Sequence, residues 1–128
     1  MIENIKIGMS RRSERVVTDK DTAAAYKTGG QEVFSTPAMI ALMEESAFLL
    51  LKESPVGEDS VGTEMNIKHT RACGVGAKVY SIAKVEKIDG NKVVFSVSAG
   101  DEKGEIGCGT HTRYIIDPVR FMKKINGR

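Results

Sequence analysis

Three polar residues stand where the hydrophobic pattern calls for apolar ones or for the end of an element: Thr36, Glu44 and His69. A carboxylate, an imidazole and a hydroxyl at a helix N-terminus are the parts for hydrolysis. The carboxylate can attack a carbonyl or activate water, the imidazole can shuttle a proton, and helix N–H groups can steady an oxyanion. Each residue also has a plainer reading. Thr36 fits an ordinary N-cap, and His69 fits a hydrogen-bonded core histidine. Glu44 could pair with a basic side chain, and Glu45 could instead be the inward carboxylate. A rival imidazole, His111, lies by alternation opposite Cys108, Thr110 and Tyr114, which predicts a surface or interface role. Serine nucleophile elbows and phosphate loops are absent from the sequence, and Ser46 and Cys73 have no activating context.

The elements that must position these residues are legible from periodicity. Residues 37–51 form a nearly all-apolar stretch whose only polar members are Glu44, Glu45 and Ser46. Thr36 before Pro37 predicts a helix start there, with Thr36 as N-cap and Pro37 in the first turn. A helix apolar on every side is normally buried on every side, where an ionised carboxylate is costly unless paired. Upstream, Ile5, Ile7 and Met9 alternate with polar residues and predict an opening strand running on to Val17. A capping-box-like Thr18-Asp19-Lys20-Asp21 then starts a short helix that Gly29-Gly30 ends. Downstream, Pro55 and Gly57 stop the apolar helix, and 57–60 reads as a loop. From Val61 the pattern becomes period-two, with Met65, Ile67 and His69 on one face. Strands follow over 77–88, 93–99 and 105–116, turned by Asp89-Gly90 and by 101–104, and Asp117-Pro118 opens a final short helix.

The expected fold is α+β: a curved antiparallel sheet of about five strands wrapped around one long helix, the hot-dog architecture in outline. Such a sheet leaves apolar helix surface and a free edge, and a dimer pairing sheets edge to edge solves both. At 128 residues the chain is expected to form a single domain over 1–128. A hydrophobic fraction of 41% and a charged fraction of 28% suit a soluble globular protein. A net charge of +2, no Trp and an Arg11/Arg12/Arg15 cluster broken by Glu14 argue against nucleic-acid binding and for a solvated strand edge. Residues 1–4 do not read as an export signal, and the longest unbroken apolar run, 47–51, is far short of the roughly 20 residues of a membrane span. Two cysteines give neither a disulfide framework nor metal-ligand spacing, so the expectation is a reduced, cytoplasmic protein without metal.

In this order and spacing the motifs resemble the hot-dog thioesterases of the fluoroacetyl-CoA thioesterase type, over roughly residues 8–121. The resemblance rests on Thr36-Pro37 followed by Glu44, Gly62-Thr63 with His69 seven residues past the glycine, and Val75-Gly76-Ala77 opening a long strand. Ile88-Asp89-Gly90, Gly109-Thr110-His111, and Ile116-Asp117 with Arg120-Phe121 add to it. It implies Thr36, Glu44 and His69 as the catalytic trio, and Gly62 meeting the thioester through its backbone. It further implies a homodimer with acyl-CoA near the subunit interface, no metal, and coenzyme A only as part of the substrate. The departure lies in residues 29–34, Gly-Gly-Gln-Glu-Val-Phe, where the fluoroacetate-specific enzyme carries bulky apolar gating residues. Phe34 is the one aromatic left there to line an acyl pocket. The trio therefore carries over and the fluoroacetyl preference does not. The implied activity is hydrolysis of a small or medium acyl-CoA. The alternative is an acyl-CoA-binding or sensing module without turnover; an enoyl-CoA hydratase relative ranks below both, since no Asn precedes a proline.

Overall fold

The computed structural model describes residues 5–54 and 59–127. Five antiparallel strands form one sheet in the order β1-β3-β4-β5-β2, where β1 is Ser10–Val16, β2 Asp59–His69, β3 Lys78–Asp89, β4 Lys92–Asp101 and β5 Gly104–Ile116. A short α1 (Ala23–Tyr26) precedes the long α2 (Thr36–Lys52), and α3 (Pro118–Ile125) ends the chain. The three-strand run β3-β4-β5 is held by short turns. Gly90 supplies the positive φ of 61° that a two-residue hairpin needs, and Gly104 turns the next with φ 127°.

The core lies between α2 and the inner sheet face. Ala38, Met39, Leu42, Met43, Ala47, Leu50 and Leu51 are buried against Val79, Ala83, Val85, Val93, Phe95, Val97 and Ile106. Ser46 is also on this stripe and fully buried, hydrogen-bonding Ser81 of β3 while Ser81 Oγ donates to the Leu42 carbonyl at 2.8 Å. Those bonds satisfy two hydroxyls that burial alone would penalise and pin the helix's rotation on the sheet. Within one chain burial is confined to that stripe: Ile40, Glu44, Glu45, Phe48 and Leu49 are half-buried and Ala41 is exposed. One chain covers one stripe of α2 and leaves the Glu44 side half open.

Several predicted boundaries shift. Residues 5–9 are not strand; Met9 N–H closes a turn on the Lys6 carbonyl around Gly8, whose φ is 96°, and β1 begins at Ser10. The short helix splits into a 3-10 turn at Asp19–Asp21, capped by Thr18, and α1, capped by Thr22. Its stop is Lys27 in the left-handed conformation, φ 60°, rather than Gly29-Gly30. Asp59 and Ser60, read as loop, already belong to β2; Pro55, Gly57 and Glu58, like residues 1–4, lie outside the described residues. Arg11 and Arg15 on β1 pair with Glu53 and Glu45, and Arg12 pairs with Glu14, as a solvated strand edge should. Asp117 caps α3, accepting from Arg120 N–H at 3.1 Å.

Candidate active site

The N-cap of α2 is Ser35, not Thr36. Ser35 Oγ, buried, accepts from Ala38 N–H at 3.1 Å, and Thr36 is the first helical residue. Serine, threonine and proline in succession allow either frame, since both hydroxyls cap well and Pro37 suits the first turn of either. The consequence is chemical. With Ser35 holding the helix end, the Thr36 hydroxyl is left to meet His69, and Oγ1 and Nδ1 are 2.9 Å apart.

His69 arrives there because β2 alternates. Met65 and Ile67 on the same face pack on the core, and His69 ends the strand on that face, one step before the chain leaves the sheet. Burial holds its pKa below the usual 6.5. At neutral pH it is therefore an uncharged base toward a hydroxyl. Its Nε2 is buried with no hydrogen-bond partner among the described residues. The strand exit is anchored by Arg71, whose guanidinium forms a two-pronged ion pair with Asp101 and donates to the Gly104 carbonyl at 2.9 Å. That pairing pulls the Asp101 carboxyl down to about 2. Thr36 and His69 open into a cavity of about 580 Å³ that Phe34, Val33, Thr28 and Arg71 also line. Phe34 is buried, its N–H bonded to the Cys73 carbonyl at 2.8 Å, so it forms the cavity's floor rather than an exposed gate.

Glu44 stands in a second cluster. It lies eight residues along α2 from Thr36, about 12 Å of helix axis. Both carboxylates are half-buried, and Glu45 turns to the β1 edge, where it accepts from Arg15 at 3.1 Å. Glu44 faces Gly62 on β2. A Cβ at Gly62 would sit 3.0 Å from Glu44 Oε2, 3.0 Å from His111 Cε1 and 3.2 Å from Arg113 Nη1. Only a glycine lets a carboxylate, an imidazole and a guanidinium approach one backbone position this closely.

His111 is the clear correction to the sequence reading. It is 1% exposed, on the inner face of β5, with its ring stacked on Phe95 at 6.3 Å between centroids. The alternation was right and the face inverted: Cys108, Thr110 and Tyr114 are the outward residues. Arg113, two residues on, is also buried; Nε donates to Ser60 Oγ at 2.8 Å and Nη2 to the Ser60 carbonyl at 3.1 Å. Periodicity missed Arg113 because it treats arginine as solvent-facing; in the ladder it stands opposite buried Val93, as His111 stands opposite buried Phe95. Among the described residues no group of three or more His, Cys, Asp or Glu side chains is placed to hold a metal ion.

A curved five-stranded antiparallel sheet on one long helix, with hydroxyl and imidazole paired at the helix N-terminus, is the hot-dog fold of the thioesterases. The chain belongs to the family of fluoroacetyl-CoA-specific thioesterases, whose pattern it matches over residues 17–119. The fluoroacetyl-CoA thioesterase of Streptantibioticus cattleyicolor is 36% identical over 95 residues, covering 73% of this chain and 68% of that protein. A crystal structure of the fluoroacetyl-CoA thioesterase superposes with a TM-score of 0.87 at 30% identity, covering 98% of both chains. A hot-dog-like protein from Thermanaerovibrio acidaminovorans gives 0.87 at 27% identity, over 98% of this chain and 94% of that one. A variant of the fluoroacetyl-CoA thioesterase has also been solved in complex with acetyl-CoA.

Proposed function

We propose that this protein is an acyl-CoA thioesterase that hydrolyses a small or medium acyl-CoA to the free acid and coenzyme A. The observation that carries this reading is the Thr36 hydroxyl on the His69 imidazole, 2.9 Å apart, at the N-terminus of α2 and in an open cavity. Uncharged His69 takes the hydroxyl proton through Nδ1 as the Thr36 oxygen attacks the thioester carbonyl. The oxyanion forms beside the positive end of α2, and the CoA sulfur leaves with the proton from His69. Water, deprotonated by the same imidazole, then releases the acid. No metal or cofactor enters the scheme; coenzyme A takes part only as the leaving group.

Glu44 and Gly62 join the scheme through a second copy of the chain. Gly62 is seven residues from His69 on β2, roughly 20 Å at strand spacing, so one chain holds the two clusters apart. Among the described residues β2 is bonded only to β5 and offers its other edge. A two-fold antiparallel pairing of β2 with itself about Asn66 sets Gly62 of the partner subunit opposite Thr70, next to His69. Glu44 behind that glycine then faces the acyl group or the attacking water. The homodimer also covers the half-open side of α2. Residues 29–32, exposed and bearing no bulky apolar side chain, leave the cavity roomier than a fluoroacetyl-selective gate would, so acyl groups beyond two carbons fit this reading. No helix among the described residues is long and apolar enough to cross a membrane, and a reduced, cytoplasmic setting accords with two cysteines that form no disulfide.

The test is a panel of short and medium acyl-CoAs with wild type, Thr36→Val, His69→Gln and Glu44→Gln, followed by mass spectrometry of the quenched enzyme. Turnover lost in all three variants, with an acyl adduct on the Thr36 peptide of wild type, is the expected result. Binding of acyl-CoA without hydrolysis would make the protein a sensing module instead.

A further inference from the structure

Arg113 presents a problem that its ion-pair chemistry does not solve. Its guanidinium is buried, and among the described residues no carboxylate oxygen lies within 4.0 Å of it. Burying a cation is expensive unless its N–H groups are satisfied. Three neutral acceptors do this: the Ser60 hydroxyl, the Ser60 carbonyl and His111 Nε2, the last at 3.1 Å from Nη1.

The third acceptor dictates a protonation state. Arginine has donors only, so His111 Nε2 must present its lone pair. The ring proton then sits on Nδ1, where the Glu64 carbonyl accepts it at 2.9 Å. Both nitrogens are satisfied in that tautomer and in no other. A proton added at Nε2 would turn one cationic donor against another, cancel the bond and free the guanidinium from one side.

We propose that His111 is a positioning residue: as the neutral Nδ1–H tautomer it holds the Arg113 guanidinium on the inner face of β5, aimed at the space between Glu44 and the Gly62 backbone, and it releases that cation when protonated. Convergence of Glu44 Oε2, His111 Cε1 and Arg113 Nη1 within 3.2 Å of the same Gly62 position is what makes the pair part of the site rather than of the core alone. The charged groups acting on His111 come from each element packed on it. Glu44 on α2 favours the imidazolium, Arg113 on β5 opposes it, and β2 contributes the Glu64 carbonyl, with Asp59 acting on Arg113. β4 contributes only the Phe95 ring, which fixes the imidazole plane. Burial is the largest influence and keeps His111 below the usual 6.5.

The inference rests on the thioesterase reading for its kinetic arm and is independent of it in the spectroscopic one. The chain has two histidines, so nitrogen-15 NMR of the imidazoles with His69→Gln resolves His111 alone. A protonated Nδ1 and an unprotonated Nε2 at neutral pH are expected, with His111 titrating higher in Arg113→Met. An Nε2–H tautomer, or a titration that Arg113→Met leaves unmoved, overturns the proposal whether or not any acyl-CoA is hydrolysed. In the kinetic arm, His111→Phe lowers kcat/KM about tenfold in wild type and has no further effect in Arg113→Met. His111→Gln keeps an acceptor and cannot become cationic, so its acid limb falls with the His69 proton alone and is shallower than that of wild type. Additive losses, or an unchanged acid limb in His111→Gln, contradict a role through Arg113. His111→Gln and the tautomer measurement hold the test open if His111→Phe does not fold.

Discussion

Ser35 and Thr36 are adjacent hydroxyls at one helix end with different jobs, and substitution separates them. Ser35→Ala removes the acceptor for Ala38 N–H and should cost about 1 kcal/mol of stability, read by urea unfolding, with turnover largely kept. Thr36→Val leaves that cap in place and should keep the unfolding midpoint while lowering kcat by roughly a hundredfold or more. A reversed pattern would make Thr36 the cap after all. The two imidazoles give a residue-scale pH dependence. Burial holds both His69 and His111 below 6.5 in the folded chain, so on acidification the unfolded chain takes up these protons first. Stability from the pair is full above the unfolded value and falls as pH drops from about 6.5 toward the native values, by up to about 1.4 kcal/mol per pH unit for each proton. Below the native values the loss levels off. His111→Gln should flatten the slope by its share, and an unchanged slope would mean that His111 does not titrate between the two states.

At the scale of elements, the site depends on how closely β2, β5 and α2 approach one another, and two glycines set those distances. A Cβ at Gly109 would lie 2.0 Å from the Asn66 carbonyl oxygen and 2.6 Å from Ile67 Cα, both backbone. Gly109→Ala must therefore push β2 off β5, and a loss of about 1–3 kcal/mol in unfolding free energy is expected. Gly62→Ala meets side-chain atoms rather than backbone, so Glu44, the held His111 ring and Arg113 must each give by tenths of an ångström. It should lower kcat/KM by about tenfold with a smaller change in stability, which makes Gly62 a test of the site and Gly109 a test of the sheet. The sequence carried β2 to β5, α2 and the turns, because alternation and helical spacing report which face is apolar, and it put Thr36 and His69 at the element ends where their side chains meet. It did not carry the break at Thr22, where a 3-10 turn ends and a hydroxyl caps a new helix that starts on the run of alanines. Nor did it yield the buried polar cluster on β5. His111 and Arg113 are inward residues with polar names, and only the register against Val93 and Phe95 exposes them. The residues alone left Glu44 and Glu45 open and only the resemblance pointed to Glu44; that Glu45 turns to Arg15 is a fact of packing, which spacing does not report.

For the whole molecule, the decisive question is what covers the free edge of β2, and the strand carries its own answer in charge. Pairing two copies antiparallel about Asn66 sets Glu64 of one against Lys68 of the other, and Met65 against Ile67. Glu64, Asn66 and Lys68 are exposed, while Met65 and Ile67 lie against the core, so polar meets polar on one face and apolar meets apolar on the other. Opposed charges across a ladder contribute about 0.2–1 kcal/mol a pair, like charges oppose pairing by a similar amount, and two-fold symmetry counts each pair twice. Other registers lose this match, and a slip of one residue sends every side chain to the wrong face. With the proposed dimer, Glu64→Lys should therefore weaken self-association in light scattering and lower turnover in parallel, since each site would borrow Glu44 and Gly62 from the other copy. Lys68→Glu added to it should restore both, with the difference shrinking as salt screens the pair. A dimer indifferent to the first substitution, or a double variant no better than the single, would place the contact in another register. Activity that persists in a monomer would show that Thr36 and His69 need nothing from a second chain.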